Sequence, residues 1–197
     1  MTSLLSDEQD RNDMARLGAG QDAALDELMA RHAERLWHYC LRLLQNESEA
    51  ADVAEEAFVR VYLHRNRFKH GKKFSTWLYT IATNLARDLQ RQRARHPQVS
   101  LDSQTQGSSL DLRESVPDTR PGPPETLEAN ERAEAVKIAV AALPEELRIP
   151  LVLSVYEEQS HAEIAELLDC SAKAVEMRLY RARQHMRERL EKDLIVQ

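Results

Sequence analysis

Cysteine is nearly absent. Cys40 and Cys170 lie far apart, and neither belongs to a CxxC pair or a Cys/His cluster. That argues against zinc and against a structural disulfide, so both read as small buried hydrophobes. Glycine is scarce as well, and Gly71, alone in its loop, makes no phosphate-binding motif. No apolar run approaches a membrane span, and the first residues lack the basic and apolar regions of a signal peptide. The expectation is a soluble, cytoplasmic protein without membrane insertion. Strand alternation, internal repeats and heptads are missing too. The seven histidines are scattered, and His161 reads as a helix-start residue rather than a ligand. No nucleophile–base pair, paired-carboxylate spacing or metal motif is found, which points away from an enzyme and from any cofactor.

What the chain has is charge, sorted by sign. Its 197 residues carry a net charge of −6, yet residues 60–95 hold ten Lys/Arg against Asp88 alone. Residues 47–56 contain Glu47, Glu49, Asp52, Glu55 and Glu56 with no Lys or Arg. Such segregation implies different partners for different surfaces: phosphates for the basic one, a basic protein for the acidic one.

Periodicity predicts an all-α chain of two small helical domains. Residues 1–20 are polar and read as a flexible lead or a short helix. Over 21–95, apolar residues at three- and four-residue spacing mark three helices. The first carries Leu25, Leu28, Met29, Leu36, Cys40, Leu43 and Leu44. The second buries Val53, Ala54, Ala57, Phe58, Val61 and Tyr62. The third follows a loop at 68–74, buries Trp77, Leu78, Ile81, Ala82, Leu85 and Leu89, and ends basic before Pro97. Residues 96–124 hold Pro97, Gly107, Pro117, Pro121, Gly122, Pro123 and Pro124 among Ser and Asp, which predicts a flexible acidic linker. Helical pattern returns over 125–197, broken at Leu143-Pro144, with Pro144 and two acids opening the next helix.

Within that last domain, 160–184 fits a helix-turn-helix. Ser160 caps a short helix from Ala162 to Leu168, Asp169-Cys170 makes the turn, and Ser171 caps the next helix. There Val175, Leu179, Ala182 and Met186 share an inner face. Lys173, Glu176, Met177, Tyr180, Arg181 and Gln184 lie opposite, with Arg178 and Arg183 at the flanks. A helix dry inside and Arg-bearing outside suits a major groove. The plainer alternative is a helical hairpin with a solvated face.

The segment 67–95 mixes aromatics with cations. Phe68, Phe74, Trp77 and Tyr79 stand among Arg67, Lys69, Lys72 and Lys73, followed by Asn84, Arg87 and Arg91. Aromatic faces stack on unpaired bases while cations hold the backbone, the chemistry of single-strand binding. The plainer alternative makes Phe74 and Trp77 core residues and the basic end a solvated helix terminus.

These stretches resemble the extracytoplasmic-function (ECF) sigma factors of bacterial RNA polymerase, in the sigma-70 superfamily. The resemblance covers residues 20–190 and rests on four stretches in order: Asp52-Val53-Ala54-Glu55-Glu56-Ala57-Phe58-Val59-Arg60-Val61-Tyr62; the run from Phe74-Ser75-Thr76-Trp77 to Asp88; Leu143-Pro144-Glu145-Glu146-Leu147-Arg148; and Ala174-Val175-Glu176-Met177-Arg178-Leu179-Tyr180-Arg181-Ala182-Arg183. It implies a region 2-like domain that binds core RNA polymerase through Asp52, Glu55, Glu56 and Phe58. It implies that the same domain melts the −10 element, with a base flipped into a pocket near Phe68–Phe74, Asn84 at the reading position, and Lys72, Lys73, Trp77, Arg87 and Arg91 along the strand. Flipping costs a few kcal/mol of stacking, which the pocket must offset. A region 4-like helix-turn-helix domain would place Lys173, Glu176, Met177, Arg178, Tyr180, Arg181 and Arg183 on the −35 element. An anti-sigma factor masking both domains is implied as a further partner, beside promoter DNA.

Three positions depart from the family pattern. Glu176 replaces a basic residue and Met177 a small hydroxyl residue. Glu55 stands where Gln is common. Glutamate accepts hydrogen bonds from cytosine, so a different −35 preference is expected. The rival readings are a helix-turn-helix regulator that binds duplex DNA without joining polymerase, and a helical adaptor of another protein. The regulator explains residues 160–184 but leaves the aromatic-basic segment and the acidic face without a task, and binding to core polymerase separates the sigma reading from both rivals.

Overall fold

The computed structural model describes residues 2–69, 71–95 and 124–195, and the expected linker falls almost wholly outside them. Among the described residues there are eight α-helices, one 3₁₀ turn at Arg65–Arg67 and no strand. The helices are α1 (Thr2–Gly18), α2 (Ala23–Leu44), α3 (Glu47–Leu63), α4 (Phe74–Arg95), α5 (Pro124–Ala141), α6 (Glu145–Val155), α7 (His161–Leu167) and α8 (Ala172–Ile195).

Helices α2, α3 and α4 follow the apolar spacing read from the sequence. Leu28, Leu36, Tyr39, Cys40 and Leu43 of α2 meet Val53, Ala57, Phe58 and Val61 of α3 and Leu78, Ala82 and Leu85 of α4 in a dry core. Local chemistry sets the helix ends. Gln45 ends α2 in the left-handed region, its N–H donating to the Leu41 carbonyl. Asn46 then caps α3, its side chain accepting from the Glu49 N–H at 3.0 Å. The Tyr39 hydroxyl bonds Thr83 Oγ1 at 2.6 Å inside this core. Burial pushes the Cys40 thiol up to about 12, which makes it an inert packing residue.

The N-terminal stretch is a correction to the flexible lead. It forms α1, packed against α2, α4 and the 3₁₀ turn. Met14 and Leu17 are buried, and so are Asp10 and Asp13. Arg31 of α2 bridges both carboxylates, while His32 Nε2 lies 2.9 Å from the second Asp10 oxygen. Buried carboxylates need such partners, since an unpaired charge is expensive in a core.

In the second set, α6 carries Pro150 in its middle, which leaves the Glu146 carbonyl without its usual helical donor. Ser160 caps α7 in a full capping box: its hydroxyl accepts from the Glu163 N–H, and the Glu163 carboxylate accepts from the Ser160 N–H at 2.7 Å. Asp169 adopts φ +50°, and the Cys170 N–H reaches back to the Ala165 carbonyl at 2.9 Å, closing the α7 terminus. Ser171 Oγ then accepts from the Ala174 N–H and starts α8. Helices α6, α7 and α8 bury Leu147, Leu153, Ile164, Val175, Leu179 and Ala182 together.

The two sets are docked on each other, α2 against α5 and α6, and α4 against α7. The sequence pattern carries no sign of this packing.

Candidate nucleic-acid interface

Helix α8 turns a dry face to α6 and α7 and an opposite face to solvent. Lys173, Glu176, Met177, Tyr180, Arg181 and Arg183 are all exposed, including the large apolar surfaces of Met177 and Tyr180. Lys173 Nζ bonds the Glu176 carboxylate at 2.8 Å, and this bond and its charge hold Glu176 below the ordinary carboxylate range. Gln184 Nε2 donates to the Tyr180 hydroxyl at 2.9 Å. Arg178 differs from its neighbours. It is half-buried and its guanidinium lies 3.6 Å from Cys170 Sγ, bracing the turn rather than extending the outer face.

The second basic surface is built on the α4 N-terminus. Phe68, Phe74 and Trp77 form an aromatic cluster with ring centroids 5.4 to 6.4 Å apart. Phe68 and Phe74 are buried and Trp77 half-buried. Beside them opens a cavity of about 250 Å³, lined among others by Arg67, Phe68, Lys69, Lys72, Lys73 and Trp77. Asn84 is not part of this pocket. It is exposed on α4 seven residues beyond Trp77, roughly 10 Å along the axis at 1.5 Å per residue. The expected pairing of an aromatic pocket with an Asn84 reader therefore separates into two positions on one helix. Arg91 and Arg95 are exposed farther along, and Arg93 pairs with Glu49 of α3.

A third surface lies on α3. Asp52, Glu55 and Glu56 are exposed and Arg60 pairs with Glu56 at 2.9 Å. Phe58, expected on the same face, is only 3% exposed and belongs to the core. The reason is angular: Phe58 follows Ala54 by four residues and Val61 follows Phe58 by three, on the inward stripe. The apolar residues that do flank the acids are Val59 and Leu63, exposed by 49% and 64%. Positions 52, 55, 56, 59 and 63 repeat at helical spacing, and that spacing was the available signal.

A set of cross-domain bonds involves residues assigned to the strand-binding surface. Lys72 Nζ meets Glu166 at 2.8 Å, Lys73 Nζ meets Glu163 at 2.9 Å (and, within its own set, Asp7 of α1 at 3.4 Å), and Arg87 Nε meets Glu145 at 3.0 Å. Thr76 Oγ1 donates to Gln159 Oε1 at 3.0 Å, and the Tyr79 hydroxyl donates to Glu157. Arg35 also approaches Glu157, at 3.5 Å, and the Arg42 guanidinium stacks 4.1 Å over the Tyr156 ring. Burial pushes Glu157 above the ordinary carboxylate range, although Tyr79 and Arg35 pull it back. Among the described residues no His/Cys/Asp/Glu group is arranged to hold a metal ion, and no helix is long and apolar enough to cross a membrane.

Comparison with known proteins agrees with this layout. Residues 28–96 match the family model for sigma-70 region 2, and residues 134–186 match the model for sigma-70 region 4. The chain is 32% identical over 172 residues to the ECF RNA polymerase sigma factor SigW of Bacillus subtilis, covering 87% of this chain and 91% of that one. It is 30% identical over 181 residues to the RNA polymerase sigma-H factor of Pseudomonas aeruginosa, covering 92% and 93%. Among solved structures it resembles CnrH, in a complex with the cytosolic domain of CnrY, at a TM-score of 0.69 and 25% identity over 94% of this chain and 99% of that one. The fold also matches the sigma factor RpoE in complex with the anti-sigma factor NepR from Bartonella quintana, at a TM-score of 0.65 and 19% identity over 84% and 96%. With region 2 and region 4 in order along one chain, and near full-length relatives at 30% and 32% identity, the protein belongs to the ECF sigma factors of the sigma-70 family.

Proposed function

We propose that this chain is a promoter-specificity subunit that works through three separate surfaces. The acidic stripe of α3, Asp52, Glu55 and Glu56 with Val59 and Leu63, binds core RNA polymerase. The outer face of α8 reads the −35 element in the major groove. The aromatic-basic start of α4, with Lys72, Lys73 and Trp77, receives the melted −10 strand, and Asn84, Arg87 and Arg91 continue along it. The chain acts by binding; the chemistry of RNA synthesis belongs to polymerase. It works in the cytoplasm, where polymerase and promoter are, and an anti-sigma factor is its natural antagonist, as the complexes of its structural relatives suggest.

The observation that carries this reading is the α3 stripe. Acids beside two exposed aliphatic residues have no use on DNA, where carboxylates are repelled by phosphates, but suit a basic protein partner. A duplex-binding regulator would leave this surface idle. Asp52→Lys combined with Glu56→Lys should abolish assembly with core polymerase and promoter-directed transcription, while circular dichroism shows unchanged helicity. Unchanged core affinity at unchanged helicity would return the stripe to a merely solvated face.

A further inference from the structure

Helix α1 takes no part in the three surfaces, yet it reaches the back of one of them. Arg31 bridges Asp10 and Asp13 and so ties α1 to α2. His32 adds a second bond to Asp10, and its ring also meets Phe74 edge-on, with centroids 5.1 Å apart and planes inclined by 61°. Phe74 is buried behind Phe68 and Trp77, which line the cavity. Asp10, His32, Phe74 and the cavity wall thus form one line of contact. Helix α1 touches the rim as well: Asp7 meets Lys73, and the helix packs on the 3₁₀ turn that leads into Phe68.

The chemistry of that line is directional. One Asp10 oxygen accepts from Arg31 and the other faces His32 Nε2, so a bond sets the plane of the imidazole. An apolar side chain at 32 would fill the same space with no buried acid to match. A satisfied polar pair gives orientation in return for its desolvation, and an edge-to-face ring pair passes that orientation on. A pocket for an unstacked base needs walls held within about 0.5 Å, which takes a supporting layer behind them.

We infer that His32 is a positioning residue for strand capture and that α1 serves to hold it: Asp10 fixes the His32 ring, the ring fixes Phe74, and Phe74 fixes Phe68 and Trp77 at the cavity wall. This inference rests on the assignment of the α4 start to the melted strand. His32 touches no DNA itself. Its role is separable from the anchoring of α1, because Arg31 with buried Met14 and Leu17 holds the helix whether or not residue 32 carries a ring.

The test is binding of a fluorescent single-stranded oligonucleotide, carrying the non-template −10 strand of a promoter the holoenzyme transcribes, to holoenzyme built with each variant. His32→Leu should bind the strand about tenfold more weakly than wild type, the scale on which loss of a supporting group is felt at a site. Affinity for core polymerase and for −35 duplex should not change. Leu44→Ala is the control for stability, a core truncation twelve residues farther along α2, roughly 18 Å away at 1.5 Å per residue, and it should keep strand binding. In the free chain carrying Trp37→Phe, Trp77 is the one remaining tryptophan, and its emission should shift to the red on His32→Leu. Should His32→Leu lose helicity, His32→Gln decides: the amide can still donate to Asp10 but offers Phe74 no ring, and strand binding should again fall. An equal loss in Leu44→Ala overturns the inference, since any loosening of the core would then suffice. Weaker binding without the emission shift, or the shift without weaker binding, overturns it as well. Trp77→Ala separates the two levels: if it loses the strand while the His32 variants keep it, the positioning role alone fails. If Trp77→Ala binds as well as wild type, the assignment of the α4 surface fails and takes the inference with it.

Discussion

Glu176 sits on the outer face of α8 bonded to Lys173, and the ammonium keeps its carboxylate charged. A charged carboxylate in a major groove can accept from cytosine N4 but is repelled by phosphates and by guanine acceptors. Glu176→Lys should therefore change which base is preferred at one −35 position, read as a changed sequence logo from selection on a promoter library. Arg181→Ala should weaken −35 recognition as a whole by about 1–3 kcal/mol, the range for a lost base-edge contact. Identical logos for wild type and Glu176→Lys would remove residue 176 from the reading face. At this scale the sequence was informative wherever helical spacing decides. The exposed set on α8 matches expectation except Arg178, whose half-buried guanidinium turns to Cys170. At Phe58 two signals in the sequence conflict. Periodicity turned it inward with Val53, Ala57 and Val61, whereas family position grouped it with the acids, and the core claims it.

Among the elements, the helices with dry stripes were legible and α1 was not. Its burial runs through Asp10 and Asp13 as much as through Met14 and Leu17, so it shows little apolar period along its length. A polar helix docks only if its buried charges are matched, and the match comes from Arg31 and His32 on α2, some twenty residues away. No local pattern announces such a pairing. Arg31→Ala removes the cation shared by two buried carboxylates, leaving only Arg16 on Asp13 and His32 on Asp10, and should cost about 3 kcal/mol in urea denaturation. Arg16→Ala removes a more exposed partner of Asp13 and should cost less than about 1 kcal/mol. Comparable costs for the two variants would show that α1 is held by Met14 and Leu17 alone. The capping residues Asn46, Ser160 and Ser171 lie at the other extreme. Ser160 and Ser171 were readable because a cap needs only a hydroxyl and an N–H a few residues on.

On the scale of the whole molecule, composition made the division into two helical sets legible but not their docking. The bonds that join them, Thr76 to Gln159, Tyr79 to Glu157 and Lys72 to Glu166, connect residues about eighty to ninety positions apart through polar groups that any solvated surface could carry. A docked interface, with polar bonds beside a hydrophobic cluster continuous across both sets, makes a different prediction from a free tether. The Pro- and Gly-bearing stretch between Arg95 and Pro124 should be the first site of limited proteolysis, because few of its side chains can build a core. Two free domains would then separate on gel filtration whatever the buffer. Domains held by Lys72–Glu166, Lys73–Glu163 and Arg87–Glu145 should instead co-elute after cleavage at low ionic strength and part at high salt. Exposed pairs are screened as the Debye length shrinks from about 30 Å at 0.01 M to about 3 Å at 1 M salt. First cleavage within residues 23–95, or fragments that separate equally at every ionic strength, would contradict the docked arrangement. Co-elution that survives high salt would place the holding force in the Tyr79–Glu157 and Thr76–Gln159 bonds and the packing around them, and the ion pairs would then serve only to cover the α4 cations.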